Sequence, residues 1–266
     1  MPVGIITGSG THALPGFEGG ETTRVQTPWG EAEVTRGTYA DVEILHLSRH
    51  GAGHVRLSNA VNHRANIWAL NELGATAVVG CTACGAVDPT LELGSLVIFD
   101  DLHFISNRLP DGGLCTFFER EGDPERAHWV LHGGPYSPGL REALQEAAEQ
   151  AGSAHRPAGT YGHVDGPRFN TPAEIAQLAA CGVAAVSQTA GPETVLCGEL
   201  ELPFALIGFV TDYANEVVPG EPTPIGTLTT LMARSPAIFA DVLRLALPRI
   251  ADIDPAPAGT LLRFDP

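Results

Sequence analysis

The sequence contains no lysine: all 15 of its basic residues are arginine. That absence removes whole mechanisms. A Schiff-base enzyme needs an amine nucleophile, and a P-loop ATPase needs its phosphate-binding lysine. Positive charge of any kind is scarce, with 15 basic residues against 31 acidic ones and a formal net charge of -16. This argues against general nucleic-acid binding, which needs a positive footprint. An anionic substrate would require a local positive pocket, because the overall field repels it.

Long apolar runs are also missing. The longest are strand-sized, so no transmembrane helix and no membrane partner are expected. MPVGIITGSG, at the N-terminus, has no basic n-region and no signal-peptide h-region. The five cysteines are odd in number and accompany no secretion signal, so reduced thiols are expected. A soluble, cytoplasmic protein is the resulting expectation. With 266 residues, 44% of them hydrophobic, the chain can bury one large core or two small ones.

The chain alternates strand and helix signals. VGIIT (3–7), the hairpin EAEVTR…VEILHLS (31–48), ATAVVGC (75–81), SLVIFDD (95–101), AAVS (184–187) and PFALIGFVT (203–211) read as strands. Helices are expected over 58–74, capped by Ser58 or Asn59, over 138–150, after the Thr171-Pro172-Ala173-Glu174 capping box, and over 227–250. The stretch 106–135 is polar and rich in Gly and Pro, and reads as loop. No repeat or linker interrupts the pattern, which predicts one α/β domain with a mostly parallel, covered sheet.

Several local motifs have competing readings. Gly8-Ser9-Gly10 after a strand has the form of a dinucleotide fingerprint, but LPGFEGGE cannot supply the helix that must follow. It reads better as a glycine loop that approaches an anion, or as a plain turn. Cys81-Thr-Ala-Cys84 has no second pair for a structural zinc site and no helix for a redox role, which leaves buried structural thiols. His50 and His54 have metal spacing, yet HGAGH lacks the Glu of a metalloprotease helix and carries two glycines. Ser48-Arg49-His50-Gly51 at a strand end is more informative, because Arg binds oxyanions bidentately and a neighbouring His adds a donor. Phe169 and Asn170 in a loop suit a planar ligand, or else Phe169 plugs the core. Thr189 is placed to meet an anion at a helix start, or simply to cap that helix.

Taken in order, GIITGSG, SRHG, VNHRANIWAL, CTACGAV, DGPRFNTPAEI, QTAGPE and VTDY resemble the trimeric purine nucleoside phosphorylase family, and within it the methylthioadenosine phosphorylase branch. The resemblance runs from about Val3 to Ile250. It implies a single α/β domain over residues 1–266, with a mixed central sheet partly closed into a distorted barrel and surrounded by helices. It implies a pentosyltransferase that cleaves purine nucleosides with phosphate, and a homotrimer with sites near subunit interfaces. Inorganic phosphate is then a co-substrate, and no metal or organic cofactor is needed.

Carried over residue by residue, Ser9, Arg49, His50, Thr82, Ala83 and Thr189 match the phosphate-binding positions, Ala83 through its backbone N–H. Gln188 stands where the family has Met beside the ribose. Phe169 matches the residue that packs on the base, and Asn170 and Asp212 match the base-edge positions. Ile225 and Leu228 match the apolar surround of the 5′ substituent. His128 matches a histidine donated across the trimer interface. Asp212, Arg49 and His50 form the implied catalytic set.

The resemblance ties Asp212 to 6-aminopurines, whose exocyclic amine its carboxylate accepts. Ala214 stands where the branch has a second Asp, and Asn170 where it has a small hydroxyl residue. At the 5′ end, Ile225 and Leu228 would leave a buried hydroxyl unsatisfied, so an apolar substituent fits better. The expected substrate is 5′-methylthioadenosine. The alternative is a 6-oxopurine nucleoside or methylthioinosine. Readings from other classes are a nucleosidase using water, or a nucleoside-binding homologue without turnover.

Overall fold

The structure, a computed structural model, describes residues 1–8, 14–17, 20–218 and 222–264. The chain order is β1 (Val3–Thr7), β2 (Glu21–Thr27), β3 (Gly30–Tyr39), β4 (Val42–Ser48), α1 (His63–Glu72), β5 (Ala77–Ala86), β6 (Leu96–Ile98), β7 (Asp101–His103), β8 (Ala127–Val130) and α2 (Pro138–Gln150). There follow β9 (His155–Arg156), β10 (Thr160–His163), α3 (Pro172–Ala180), β11 (Val183–Ser187), α4 (Ala190–Glu199), β12 (Phe204–Tyr213), α5 (Ile225–Asp252) and β13 (Thr260–Arg263).

Among the described residues the main sheet has 11 strands in the order β2-β3-β4-β1-β5-β11-β10-β7, with β12, β6 and β9 branching from β5. It is mixed: β1 pairs in parallel with β4 and β5, and β5 with β12, whereas β2–β3–β4 is an antiparallel meander. The sheet is therefore a single α/β unit as expected. Closure into a barrel, implied by the resemblance, is not shown by these pairings.

Strand periodicity separates the two faces. On β5 and β12, Val78, Leu206 and Val210 point into one core with Ile67 and Leu70 of α1 and Leu196 of α4. Their neighbours Val79, Ala205 and Ile207 point into the other, against Leu140 and Leu144 of α2 and Phe239, Leu243 and Leu247 of α5. Such double-sided burial explains why these strands read as continuous apolar runs. Among the described residues, no helix is long and apolar enough to cross a membrane.

Three local readings are corrected. Helix α1 begins at His63 rather than at Ser58: Ser58–Ala60 is a 3-10 turn, Val61 is extended, and the Asn62 side chain accepts from the Ala65 N–H at 3.2 Å as the cap. The stretch 106–135 is not all loop. Its β8 pairs antiparallel with β13, a partner invisible to any local window. Strand β5 continues to Ala86 through the Cys81–Cys84 motif, whose thiols are free and buried. The Thr171–Glu174 capping box forms as expected.

Candidate active site

Arg49 leaves the end of β4 and turns inward, and its side chain is fully buried. A guanidinium in that setting needs a counter-charge, because removing an ion from water costs several kcal/mol (on the order of) unless it is paired. Glu193, in the first turn of α4, supplies one: its carboxylate accepts from Arg49 Nε at 2.6 Å and from Nη2 at 2.8 Å. Arg49 Nη1 donates to the Cys81 carbonyl at 2.7 Å. A Cβ at Gly8 would collide with that Nη1, so glycine is required where β1 ends. The expected bidentate clamp for an oxyanion is thus occupied by Glu193. Three of the five guanidinium N–H groups have these protein partners.

His50 also differs from its expected role as a simple donor. Its Nδ1 lies 2.8 Å from the Arg56 carbonyl, which can only accept, so Nδ1 carries the proton. Burial first, and then the Arg49 charge, push its pKa down to about 4. The ring is neutral at pH 7 and stacks on His54 with centroids 4.3 Å apart. Gly51 and Gly53 both have positive φ here, so His50 and His54 do not sit on an α-helix.

These groups border a cavity of about 250 Å³. Thr82, Ala83 and Thr189 line it too. The Thr82 Oγ1 is 3.1 Å from the Ser187 Oγ. Thr189 holds the N-cap position of α4 without making a side-chain cap bond, so the simple capping reading fails. The positive end of the α4 dipole faces this corner. Ser9 lies outside the described residues.

Asp212 also lines the cavity. The register of β12 on β5 runs Val210↔Cys84 and then Asp212↔Gly85, so Thr211 is an extra residue. A bulge of this kind bends the strand and re-aims the following side chain. Thr211 Oγ1 donates to Asp212 Oδ1 at 2.7 Å, but burial outweighs that bond and raises the carboxyl pKa. A Cβ at Gly85 would stand 3.1 Å from Asp212 Oδ2, tighter than ordinary contact. Phe169 is 67% exposed at the rim, so it is not a core plug. Asn170 lines the cavity and donates through Nδ2 to Glu174 Oε2 at 3.2 Å. Gln188, Leu228 and Met232 also line it.

One expected residue is elsewhere. Ile225 opens α5, is 80% exposed and lies outside the cavity wall, where the i, i+4 pair Leu228 and Met232 forms the apolar stripe instead. His128 lies on β8, with its ring 5.3 Å from Phe264, and lines a second cavity of about 740 Å³.

The phosphorylase superfamily pattern matches residues 2–245. The chain belongs to the phosphorylase superfamily. It is 35% identical over 254 residues to the 6-oxopurine nucleoside phosphorylase of Pyrococcus furiosus, covering 94% of each chain. It is 35% identical over 252 residues to the S-methyl-5′-thioadenosine phosphorylase of Mycobacterium tuberculosis, covering 94% of this chain and 90% of that one. Among solved structures, methylthioadenosine phosphorylase from Schistosoma mansoni in complex with adenine superposes with a TM-score of 0.85 at 27% identity, covering 96% of this chain and 93% of that one.

Sequence reading missed several residues of this phosphorylase-superfamily site. Glu193 was visible only as an acid in a helix start, and its partner is 144 residues away. Met232 gave no signal of its own, and Ser58 was marked only as a helix cap. His63 is buried with both ring nitrogens lacking a hydrogen-bond partner, and its Nδ1 is 3.8 Å from Glu193 Oε1.

Burial pushes the pKa of four histidines down: His46 and His50 to about 4, His163 to about 3, and His63 well below its ordinary value. Unfolded, each binds a proton near pH 6.5; folded, it does so only at lower pH. Their contribution to stability is full above about pH 6.5 and is lost as the pH falls toward about 4. The raised carboxyls Asp212 and Glu199 oppose this only in part. Urea midpoints should therefore fall steadily from pH 7 to pH 4.5, and a flat profile would contradict the four buried neutral rings.

Proposed function

We propose that this chain is a purine nucleoside phosphorylase that cleaves the N-glycosidic bond of 5′-methylthioadenosine, or another 5′-deoxy-5′-substituted adenosine. The products are adenine and the corresponding ribose 1-phosphate derivative. The observation that carries the reading is that one cavity is lined by Asp212 together with Arg49, His50, Thr82 and Thr189. Phosphate binds beside Arg49, His50, Thr82 and Thr189, with the Ala83 N–H as a further donor. The ribose lies between, beside Gln188. Phe169 covers the purine, and Asn170 and Asp212 meet its edge. Leu228 and Met232 receive the 5′ substituent.

Bond breaking makes the sugar cationic, as in glycoside hydrolysis, and the bound phosphate stabilises it before attacking its anomeric carbon. The purine leaves with developing negative charge on its five-membered ring. A protonated Asp212 donates to that ring nitrogen while its second oxygen accepts from the 6-amino group. Burial favours this neutral acid. Each interaction aimed at developing charge contributes roughly 3 kcal/mol. The scheme uses no metal and no organic cofactor.

The chain is proposed to act as a homotrimer. Within one chain His128 lies apart from Asp212, so it would reach a nucleoside only in a neighbouring subunit. A cytoplasmic setting accords with five unpaired cysteines.

A second reading, a 6-oxopurine nucleoside or methylthioinosine phosphorylase, is favoured by the Asn170 carboxamide in the cavity wall and by the 35% identity to the Pyrococcus furiosus protein. Base release from methylthioadenosine, adenosine, inosine and methylthioinosine separates the two. Methylthioadenosine is expected to be turned over fastest, and only with phosphate present. Faster release from inosine would select the second reading. Release independent of phosphate would make the protein a nucleosidase, and tight binding without release a silent homologue.

A further inference from the structure

Gln188 follows β11 directly, and both ends of its carboxamide are engaged. Its Oε1 accepts from the Ser58 hydroxyl at 2.8 Å, and its Nε2 donates to the Arg168 carbonyl at 2.9 Å. Ser58 belongs to the 3-10 turn and Arg168 to the loop that carries Phe169 and Asn170, and both segments line the cavity. The backbone of Gly166 runs against this bridge, since a Cβ there would collide with both Gln188 Oε1 and Ser58 Oγ. Beyond Arg168 the loop has further ties among the described residues: the Arg168 guanidinium pairs with Glu174 at 2.6 and 2.8 Å, with 62% and 37% of the two side chains exposed, Asn170 Nδ2 donates to the same carboxylate, and the exposed Asn215 Nδ2 donates to the Asn170 carbonyl. Exposed pairs of this kind hold weakly. The Gln188 bridge starts from an exposed bond at Arg168 and ends on Ser58, which is buried.

We propose that Gln188 is a positioning residue whose side chain pins loop 165–170 to the Ser58 turn, thereby setting how closely Phe169 and Asn170 approach the purine held against Asp212. The substrate effect rests on the phosphorylase reading; the pinning of the loop does not. An apolar side chain of the same length, as in Gln188→Met, fills the space but makes neither bond. Ser58→Ala removes one bond from the opposite side with little change of shape.

Steady-state kinetics and trypsin cleavage test this together. Because the chain has no lysine, trypsin cuts only after arginine, and the carbonyl held by Gln188 belongs to the Arg168–Phe169 bond itself. Gln188→Met is expected to raise the nucleoside KM about tenfold, from the loss of two modest hydrogen bonds, with the larger share of the loss in KM rather than kcat. The phosphate KM should move less than twofold. Cleavage after Arg168 should become several-fold faster, and Ser58→Ala should shift both readouts in the same direction. The double variant should be no worse than Gln188→Met alone, since the Ser58 bond is lost already. Unchanged cleavage at Arg168 in both single variants, or effects that simply add, would overturn the proposal. A generally destabilising change would instead speed cleavage at many arginines and raise both KM values, and that outcome too would overturn it. If no nucleoside is turned over at all, the phosphorylase reading fails, and cleavage at Arg168 still decides the role of Gln188.

Discussion

Asp212→Asn should move purine preference by at least about a hundredfold, from 6-aminopurine toward 6-oxopurine nucleosides, which corresponds to roughly one transition-state interaction. The protonated carboxyl can donate to the ring nitrogen and accept from an exocyclic amine. The asparagine amide, with its NH₂ turned to the purine, donates to the ring nitrogen and to a 6-oxo group instead. Ratios of kcat/KM for methylthioadenosine and methylthioinosine read this directly, and an unchanged ratio would remove Asp212 from base recognition. The pH dependence follows from the same carboxyl. Burial raises its pKa above the ordinary Asp value. The acid form that donates is present below that raised pKa, so kcat/KM of the wild type should decline as the pH rises through it, and Asp212→Asn should lack this limb. Stability has the matching sign. The folded protein holds this proton more tightly than the unfolded chain, so the wild type loses stability as the pH rises through the same window. Asp212→Asn does not.

Arg49→Met is expected to cost about 3–5 kcal/mol of stability, because it leaves Glu193 buried and unpaired. The informative comparison is with Arg49→Met combined with Glu193→Leu. Removing both charges restores an apolar contact, and replacement of a buried ion pair in this way is often neutral or stabilising. The double variant should recover most of the lost stability in urea unfolding. Its phosphate KM should nevertheless stay raised by about a hundredfold, since the guanidinium donors for the anion are gone. If phosphate affinity returned along with stability, Arg49 would be a structural residue and the anion would bind elsewhere.

The pairing also shows where local reading stops. SRHG marks a strand end with an arginine, but nothing near it in the chain marks Glu193, which α4 delivers from 144 residues away. The same holds for β8, whose partner β13 follows more than 100 residues later. Ile225 was placed by likeness of sequence alone, and the structure sets it on an exposed first turn, outside the cavity wall. Phe169 and Thr189 had two readings each from composition. Exposure of the Phe169 ring removed the core-plug reading, and the missing Thr189 cap bond removed the simple capping one.

What the sequence determined by itself was the local physics and the family. Continuous apolar runs required a sheet covered on both faces, the capping box fixed the start of α3, and seven motifs in order led to the phosphorylase superfamily. Only the tertiary structure decided what VTDY does. Along the chain Asp212 is the next residue after an apolar strand, with no preferred direction. A one-residue slip of β12 against β5 turns its carboxyl into the cavity beside Gly85. Such a slip is a property of two paired strands, and no single segment of sequence contains it.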